Sequence, residues 1–383
     1  MRVADRYAGT QPSEMIKIFQ ATENMKDVLN LGIGEPDFDT EHDIIDAAAA
    51  AGKNGFTHYP PTQGYLDVRE AVCGYWKRHH KLESTPDEVL LTAGGLNVPY
   101  LAIQALFNPG DEIILIEPYF TQYAAQASAC GATLLQIETK EENGFVPLAS
   151  DFKKVITART RALILNSPCN PTGRVISRER MEEIAEIAQR HDLFVLSDEI
   201  YESMVHKGVH IPFASLPGMK ERTLTMGGMS KSHCMTGWRM GYVIGPKEII
   251  KIMTVISACQ TYGVNTMTQK ATAYALNNHD AKLVERKNIF AERMEYVAGR
   301  LNKMKNITCA NAEGAFYLFP NIKKTLLSST DFVWGMLENV RVAAIPGTAF
   351  GKSGEGYIRI ACTRSMDVLI KAMDKMEEFC SAL

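Results

Sequence analysis

Between Glu112 and Met226 the chain repeats one pattern: a short apolar run, a polar break, then a longer amphipathic stretch. The runs are EIILI (Glu112 to Ile116), ATLLQI (Ala132 to Ile137), RALIL (Arg161 to Leu165), LFVLS (Leu193 to Ser197) and TLTM (Thr223 to Met226). They are rich in leucine or β-branched residues and bounded by Gly, Pro, Asn or Asp, which predicts buried strands. The stretches between them have helical periodicity. SRERMEEIAEIAQRH (Ser177 to His191) opens on a capping serine, with glutamates early and a histidine late, as the helix dipole favours. Arg180 stands where a Glu or Gln would complete a capping box, so the match is partial. Strand-helix alternation of this kind predicts an α/β fold, a mostly parallel sheet sandwiched by helices.

The pattern changes near Lys251. Long helical stretches follow as far as Leu301, among them NTMTQKATAYALNN and HDAKLVERKNIFAERMEYVAGRL. Shorter alternating runs come after, in ITCANAEGAFYLFPNI, VRVAAIPGTAF and GYIRIAC. We therefore expect a large α/β domain over residues 45–285. A smaller α+β domain is expected from both chain ends, residues 1–44 and 286–383.

Composition removes several functions. The chain has 383 residues and a formal net charge of -3, with no Lys/Arg-rich run, so no nucleic-acid partner is expected. No apolar stretch approaches the roughly eighteen residues a membrane span needs. MRVADRYAGTQPSEMIKIF, at the start, lacks the apolar core of a signal peptide. Eight cysteines stand singly, none in a C-x-x-C, which argues against zinc or redox motifs and for a reducing cytoplasm. No metal site is expected. Cys169 and Cys234 are singled out only because they sit inside the motifs below.

The polar residues that follow the runs carry more information. RALIL leads into NSPCNPTG (Asn166 to Gly173), LFVLS into DEIY (Asp198 to Tyr201), and TLTM into GGMSKSHCMTGWR. Open parallel sheets bind ligands just beyond the carboxyl ends of their strands. Each piece alone has a plainer reading: NPTG as a turn, Asp198 as a cap, Lys231 as a solvated lysine, Arg239 as a packed cation. Their order and joint placement favour one site assembled from separate loops.

Together LGIGEPDF, YPPTQGYLDVREAV, NSPCNPTG, SDEIY, SK followed by MTGWRMGY, and YIRIA resemble the class I/II aminotransferases, fold-type I enzymes that use pyridoxal 5'-phosphate (PLP). Within that family the likeness is to the aspartate and aromatic amino acid aminotransferases. It extends from about Asn30 to the C-terminal helix. It implies the fold, the cofactor, a homodimer with shared active sites, and a role for each matching residue.

Lys231 then matches the lysine that holds the cofactor's aldehyde as a Schiff base, since only lysine offers a primary amine in a side chain. Burial and the neighbouring cationic ring should lower its pKa, as general-base work requires. Asp198 matches the carboxylate beside the ring nitrogen, which raises that nitrogen's pKa by about 1–3 units. Tyr201 and Asn170 match donors to the ring's phenolate oxygen, and the resemblance also places Asn170 and Phe120 against the substrate. Phe120 matches the stacking aromatic; many relatives have Trp there, so an indole donor is missing. Gly95, Leu96 and Asn97 at a helix start, with Ser230 and Arg239, match phosphate contacts. Tyr59 matches a phosphate contact delivered by the neighbouring subunit, and Asn265 is a weaker candidate for that interface. Gly34 matches a backbone contact to the substrate. Arg359 matches the fork for the substrate α-carboxylate, with Arg364 as a nearby competitor. The substrate side chain would meet residues around Glu14 to Phe19 and the partner subunit.

The resemblance implies transfer of an amino group from an amino acid to a 2-oxo acid, 2-oxoglutarate foremost. The alternative is a PLP lyase of the same fold, a C-S β-lyase or an aminocyclopropane-carboxylate-synthase-like enzyme, because both begin with the same chemistry. A silent effector sensor would need an attached DNA-binding module, and no residues are left over for one. A dehydrogenase would need G-x-G-x-x-G; GKSGEG (Gly351 to Gly356) has glycines at the wrong spacing.

Overall fold

A computed structural model describes residues 13–23 and 25–383. The part of the small-domain assignment that falls on residues 1–12, with the start of the stretch examined for a signal peptide, lies outside the described residues.

Seven strands form the central sheet: β1 Val89–Ala93, β2 Glu112–Glu117, β3 Thr133–Glu138, β4 Thr160–Asn166, β5 Phe194–Asp198, β6 Thr223–Gly228 and β7 Met240–Ile244. Their order across the sheet is β1-β7-β6-β5-β4-β2-β3. From β3 to β6 every neighbouring pair is parallel; β7 runs antiparallel to both β6 and β1. The five apolar runs read from the sequence are β2 to β6. β7 follows the GWR segment and carries Gly241 within MGYVI, so its strand signal is weak.

Strand side chains alternate between faces, and the core shows it. Ile113 and Leu115 of β2 and Ile164 of β4 join one buried cluster, while Ile114, Leu163 and Leu165 join another on the opposite face. A sheet buried on both sides has no solvated face to spare for polar residues, which is why these strands read as continuous apolar runs. The helices that matter here are α1 Glu14–Glu23, α2 Asn97–Leu106, α3 Gln122–Ala129, α4 Arg178–Arg190, α5 Thr266–Asn278 and α6 Asp280–Leu301. α4 is the helix that SRERMEEIAEIAQRH announces; its Ser177 side chain accepts from the Arg180 N–H, the available half of the capping box.

A separate cluster joins the two chain ends. Met15, Ile18 and Leu31 pack with Phe290, Phe316, Phe332, Ile360 and Phe379. α6 reaches both clusters: its Leu283 belongs to one that lines the sheet, its Phe290 to the terminal one. Beside this cluster lies a three-stranded antiparallel sheet, β8 Tyr317–Leu318, β9 Ile345–Pro346 and β10 Ile358–Ala361, in the order β9-β10-β8. The segment leading to Gly34 is tied to β10 by the Ala361 N–H, which donates to the Leu31 carbonyl at 2.7 Å. No helix among the described residues is long and apolar enough to cross a membrane.

Candidate active site

The parallel register aligns the strand ends. Asn166 of β4 lies beside Asp198 of β5, and Asp198 beside Met226 of β6. Beyond those ends lies a cavity of about 300 Å³. Of the residues the sequence nominates, Gly34, Gly95, Leu96, Phe120, Asn170, Asp198, Tyr201, Ser230, Lys231, Arg239 and Arg359 all line it. Met15 and Phe19 of α1 line it too, within the segment expected to meet the substrate side chain.

Lys231 donates from Nζ to the Gly34 carbonyl at 2.7 Å, so the primary amine bridges the sheet to the N-terminal segment. Burial holds its pKa down to about 8, with Arg359 and Arg239 pushing the same way and Glu35 and Asp198 opposing. A side chain on Gly34 would put its Cβ 2.0 Å from the Tyr317 hydroxyl, so the close approach of that segment requires glycine.

Asp198 is 4% exposed. Burial pushes its carboxyl up to about 6, against bonds from the Tyr123 hydroxyl and the Ile200 N–H that favour the carboxylate. The Asn166 amide holds the Asp198 backbone carbonyl at 3.0 Å, and the Asn166 side-chain oxygen accepts the Asn170 N–H at 2.7 Å. Asn166 therefore ties two site loops together. Tyr201 and Tyr317 share a hydrogen bond of 2.9 Å between hydroxyls.

Arg359, on β10, is 2% exposed. It donates from Nη1 to Asn170 Oδ1 at 2.9 Å and from Nη2 to the Gly32 carbonyl at 2.5 Å. Its guanidinium sits over the rings of Tyr317 at 4.6 Å and Phe350 at 4.9 Å. A guanidinium has five N–H donors, and here Nε is buried with no hydrogen-bond partner among the described residues. That leaves a cation aimed, rigid and incompletely used. Arg364 instead bonds the Asn30 carbonyl at 3.2 Å and is absent from the cavity wall.

At the other end of the cavity, Gly94 has φ +78° and a Cβ there would fall 2.5 Å from Arg239 Nη2. The turn into α2 is thus held against an arginine, with Ser230 nearby on the wall. Amine, cations, hydroxyl, carboxylate and a helix start are the donor set that a phosphate-bearing aldehyde with a protonated ring demands, and the residues fit PLP.

Three nominated residues stand apart from the cavity wall. Asn97 turns its amide to Gln260 at 3.1 Å, because its place in the first turn of α2 points it away from the cavity. Tyr59 is 85% exposed and packs edge-on against Tyr262 at 5.1 Å, outside the cavity of its own chain. Asn265 caps α5 by accepting the Thr268 N–H at 3.0 Å. Cys169 and Cys234 also lie off the cavity wall, and burial raises both thiols, Cys234 to about 11. The sequence reading left out Tyr123, Tyr317 and Thr236, which do line the cavity. Tyr123 was the findable one, since it stands three residues after Phe120, at the start of α3.

A mostly parallel sheet whose strand ends gather these groups defines a PLP enzyme of fold type I. The model of the family Aminotransferase class I and II matches residues 26–376. The chain is 41% identical to an aspartate aminotransferase of Pyrococcus abyssi, covering 99% of this chain and 98% of that protein. It is 38% identical to aromatic-amino-acid aminotransferase 2 of Thermococcus litoralis, with 99% and 98% covered. The crystal structure of an aromatic aminotransferase from Pyrococcus horikoshii superposes with a TM-score of 0.91 at 39% identity, over 95% of this chain and 99% of that one. The chain belongs to the class I and II aminotransferases: it is a PLP-dependent aminotransferase acting on an amino acid and a 2-oxo acid, and the lyase alternative is not what its relatives support.

Proposed function

We propose that this enzyme transfers amino groups to 2-oxoglutarate, with Lys231 as the cofactor's point of attachment, in a cytoplasmic homodimer whose subunits share their sites. The carrying observation is that one cavity collects Lys231, Asp198 and Arg359 from three separate segments. When bound, PLP supplies an aldehyde that condenses with amines and a ring that takes up the electrons left when an α-proton departs.

Asp198 would face the ring nitrogen and stabilise its proton. Tyr201 and Asn170 would donate to the phenolate oxygen, and Phe120 would cover a ring face. Ser230, Arg239 and the backbone of Gly95, Leu96 and Asn97 would hold the phosphate, joined by Tyr59 of the partner subunit. Arg359 takes the donor's α-carboxylate in its fork, beside the Gly34 backbone. Lys231 Nζ would serve as the base that takes the proton from the donor's α-carbon; such acid–base work contributes about 10² to 10⁴ in rate.

Support for the homodimer is the exposure of Tyr59, and support for the cytoplasm is eight free thiols. The relatives' names direct the first assays to aspartate and aromatic donors. A panel of amino acids with 2-oxoglutarate, read as glutamate formed, tests the reading. Release of ammonia and pyruvate without dependence on the oxo acid would overturn it.

A further inference from the structure

We propose that Tyr123 is a positioning residue that fixes the carboxylate of Asp198 and keeps it ionised for the cofactor. The inference rests on the reading of Asp198 as partner of the ring nitrogen. Tyr123 is 2% exposed, lies on α3, and lines the cavity. Its hydroxyl donates to Asp198 Oδ2, while the Ile200 N–H donates to Oδ1 at 3.1 Å. Each carboxylate oxygen thus has one fixed donor. A carboxylate has about four acceptor sites, so two anchored bonds set its plane and leave room for a third donor.

The phenol is itself held. Phe120 meets its ring edge-on, with centroids 5.6 Å apart and planes at 81°, and the Tyr123 N–H bonds the Phe120 carbonyl at 3.1 Å. The residue that covers the ring face and the residue that aims the carboxylate therefore move together.

The chemistry follows from burial. A carboxyl out of water favours its protonated form, and a protonated Asp198 cannot hold a second proton on the ring. A hydroxyl that donates to the carboxylate shifts that balance back. Burial and the adjacent Asp198 charge hold Tyr123's own pKa well above the ordinary tyrosine value, so it remains a donor across the working range.

Tyr123→Phe removes one hydroxyl and keeps the ring. The affinity of the apoprotein for PLP is expected to fall about tenfold and kcat about tenfold to a hundredfold, the range for a hydrogen bond to a charged group. KM for the amino donor should stay within twofold, and the pH midpoint of the cofactor's visible absorption should shift. In an Asp198→Asn background the same change should add less than twofold. Tyr123→His, which retains a donor, should recover part of the loss.

Tyr123→Phe that leaves PLP affinity and kcat within twofold, while Asp198→Asn cripples both, would overturn this inference alone. Asp198→Asn without effect would instead overturn the underlying reading of Asp198. A Tyr123→Phe effect of full size in the Asn background would make the tyrosine merely structural. Should Tyr123→Phe fail to fold, the double variant, which has no carboxylate at position 198, should fold; failure of both overturns the proposal.

Discussion

The cavity and the basin beside it are built on opposite terms. The cavity, about 300 Å³, is walled by strand ends, and its charged groups are already engaged: Lys231 with Gly34, Arg359 with Asn170 and Gly32, Asp198 with Ile200. The basin, about 1030 Å³, is wide and open, lined by Glu35, Asp37, Asp39 and Asn265. Thr236 and Arg239 line both, so the cavity gives onto the basin at its Arg239 end. Tyr59 sits at a further hollow that shares Thr261, Gly263, Val264 and Asn265 with the basin. On the function proposed above, one chain would complete the ring and carboxylate end by itself, and the open side is where a second chain would complete the phosphate end.

The hardest test of the closed side is Lys231→Ala. Nothing else in the cavity wall supplies a primary amine, so turnover should fall by at least the roughly 10² to 10⁴ of acid–base catalysis. PLP should still bind, without covalent attachment, and borohydride should trap it on Lys231 in the parent enzyme alone. Reduced adduct mapped to another lysine would break the assignment of this cavity.

Arg359→Lys is next in size. It keeps the charge but loses the planar fork, the bonds to Asn170 and Gly32, and the stacking on Tyr317 and Phe350. A loss of about ten- to a hundredfold in kcat/KM is expected, for every amino acid, since all share the α-carboxylate. A loss confined to one side-chain class would move Arg359 into the specificity pocket.

The open side predicts a subtler result. Tyr59→Phe should weaken PLP retention about tenfold, the lower end for one hydrogen bond to a charged group. In a heterodimer of Lys231→Ala with Tyr59→Phe chains, the site on the Tyr59→Phe chain has its own lysine and an intact tyrosine from its partner. That site should recover parental affinity and activity. Heterodimers that hold PLP no better than the Tyr59→Phe homodimer would erase the difference between the two regions.

These regions were also unequally legible in sequence. Strands β2 to β6 announce themselves because burial on both faces forces unbroken apolar runs, and the chemistry follows directly at their carboxyl ends. β7 is hidden by its glycine and by the motif before it. Tyr317 reaches the cavity through pairing of β8 with β10, where Tyr317 opposes Ala361, two residues after Arg359. Such a contact depends on strand register across more than forty residues, which no local pattern reveals. Asn97 is legible only in part: the motif places its backbone at a helix start, while helical geometry turns its side chain to Gln260.

The smallest effect separates an enclosed site from an open one by pH. Burial lowers Lys231 to about 8, below the ordinary lysine value of about 10.4. The folded apoprotein therefore binds fewer protons here than the unfolded chain. The group's contribution to stability is full above the unfolded value and is lost as pH falls through about 8. Asp198, raised to about 6, has the opposite sign: its contribution is present at low pH and is lost as pH rises through about 6. Near neutrality both groups burden the apoprotein, and a cofactor that removes the lysine charge and brings a cation to Asp198 relieves both. Capture of PLP needs the neutral amine. With a midpoint near 8, the rate should rise about fivefold from pH 7 to pH 8 and less than about twofold from 8 to 9. An ordinary lysine would instead give roughly tenfold for each unit across that range. Stopped-flow absorbance of the apoprotein mixed with PLP reads the difference, with Lys231→Ala as the blank. A profile still climbing tenfold per unit above pH 8 would mean that Lys231 stands in water, and that the cavity is no more closed than the basin.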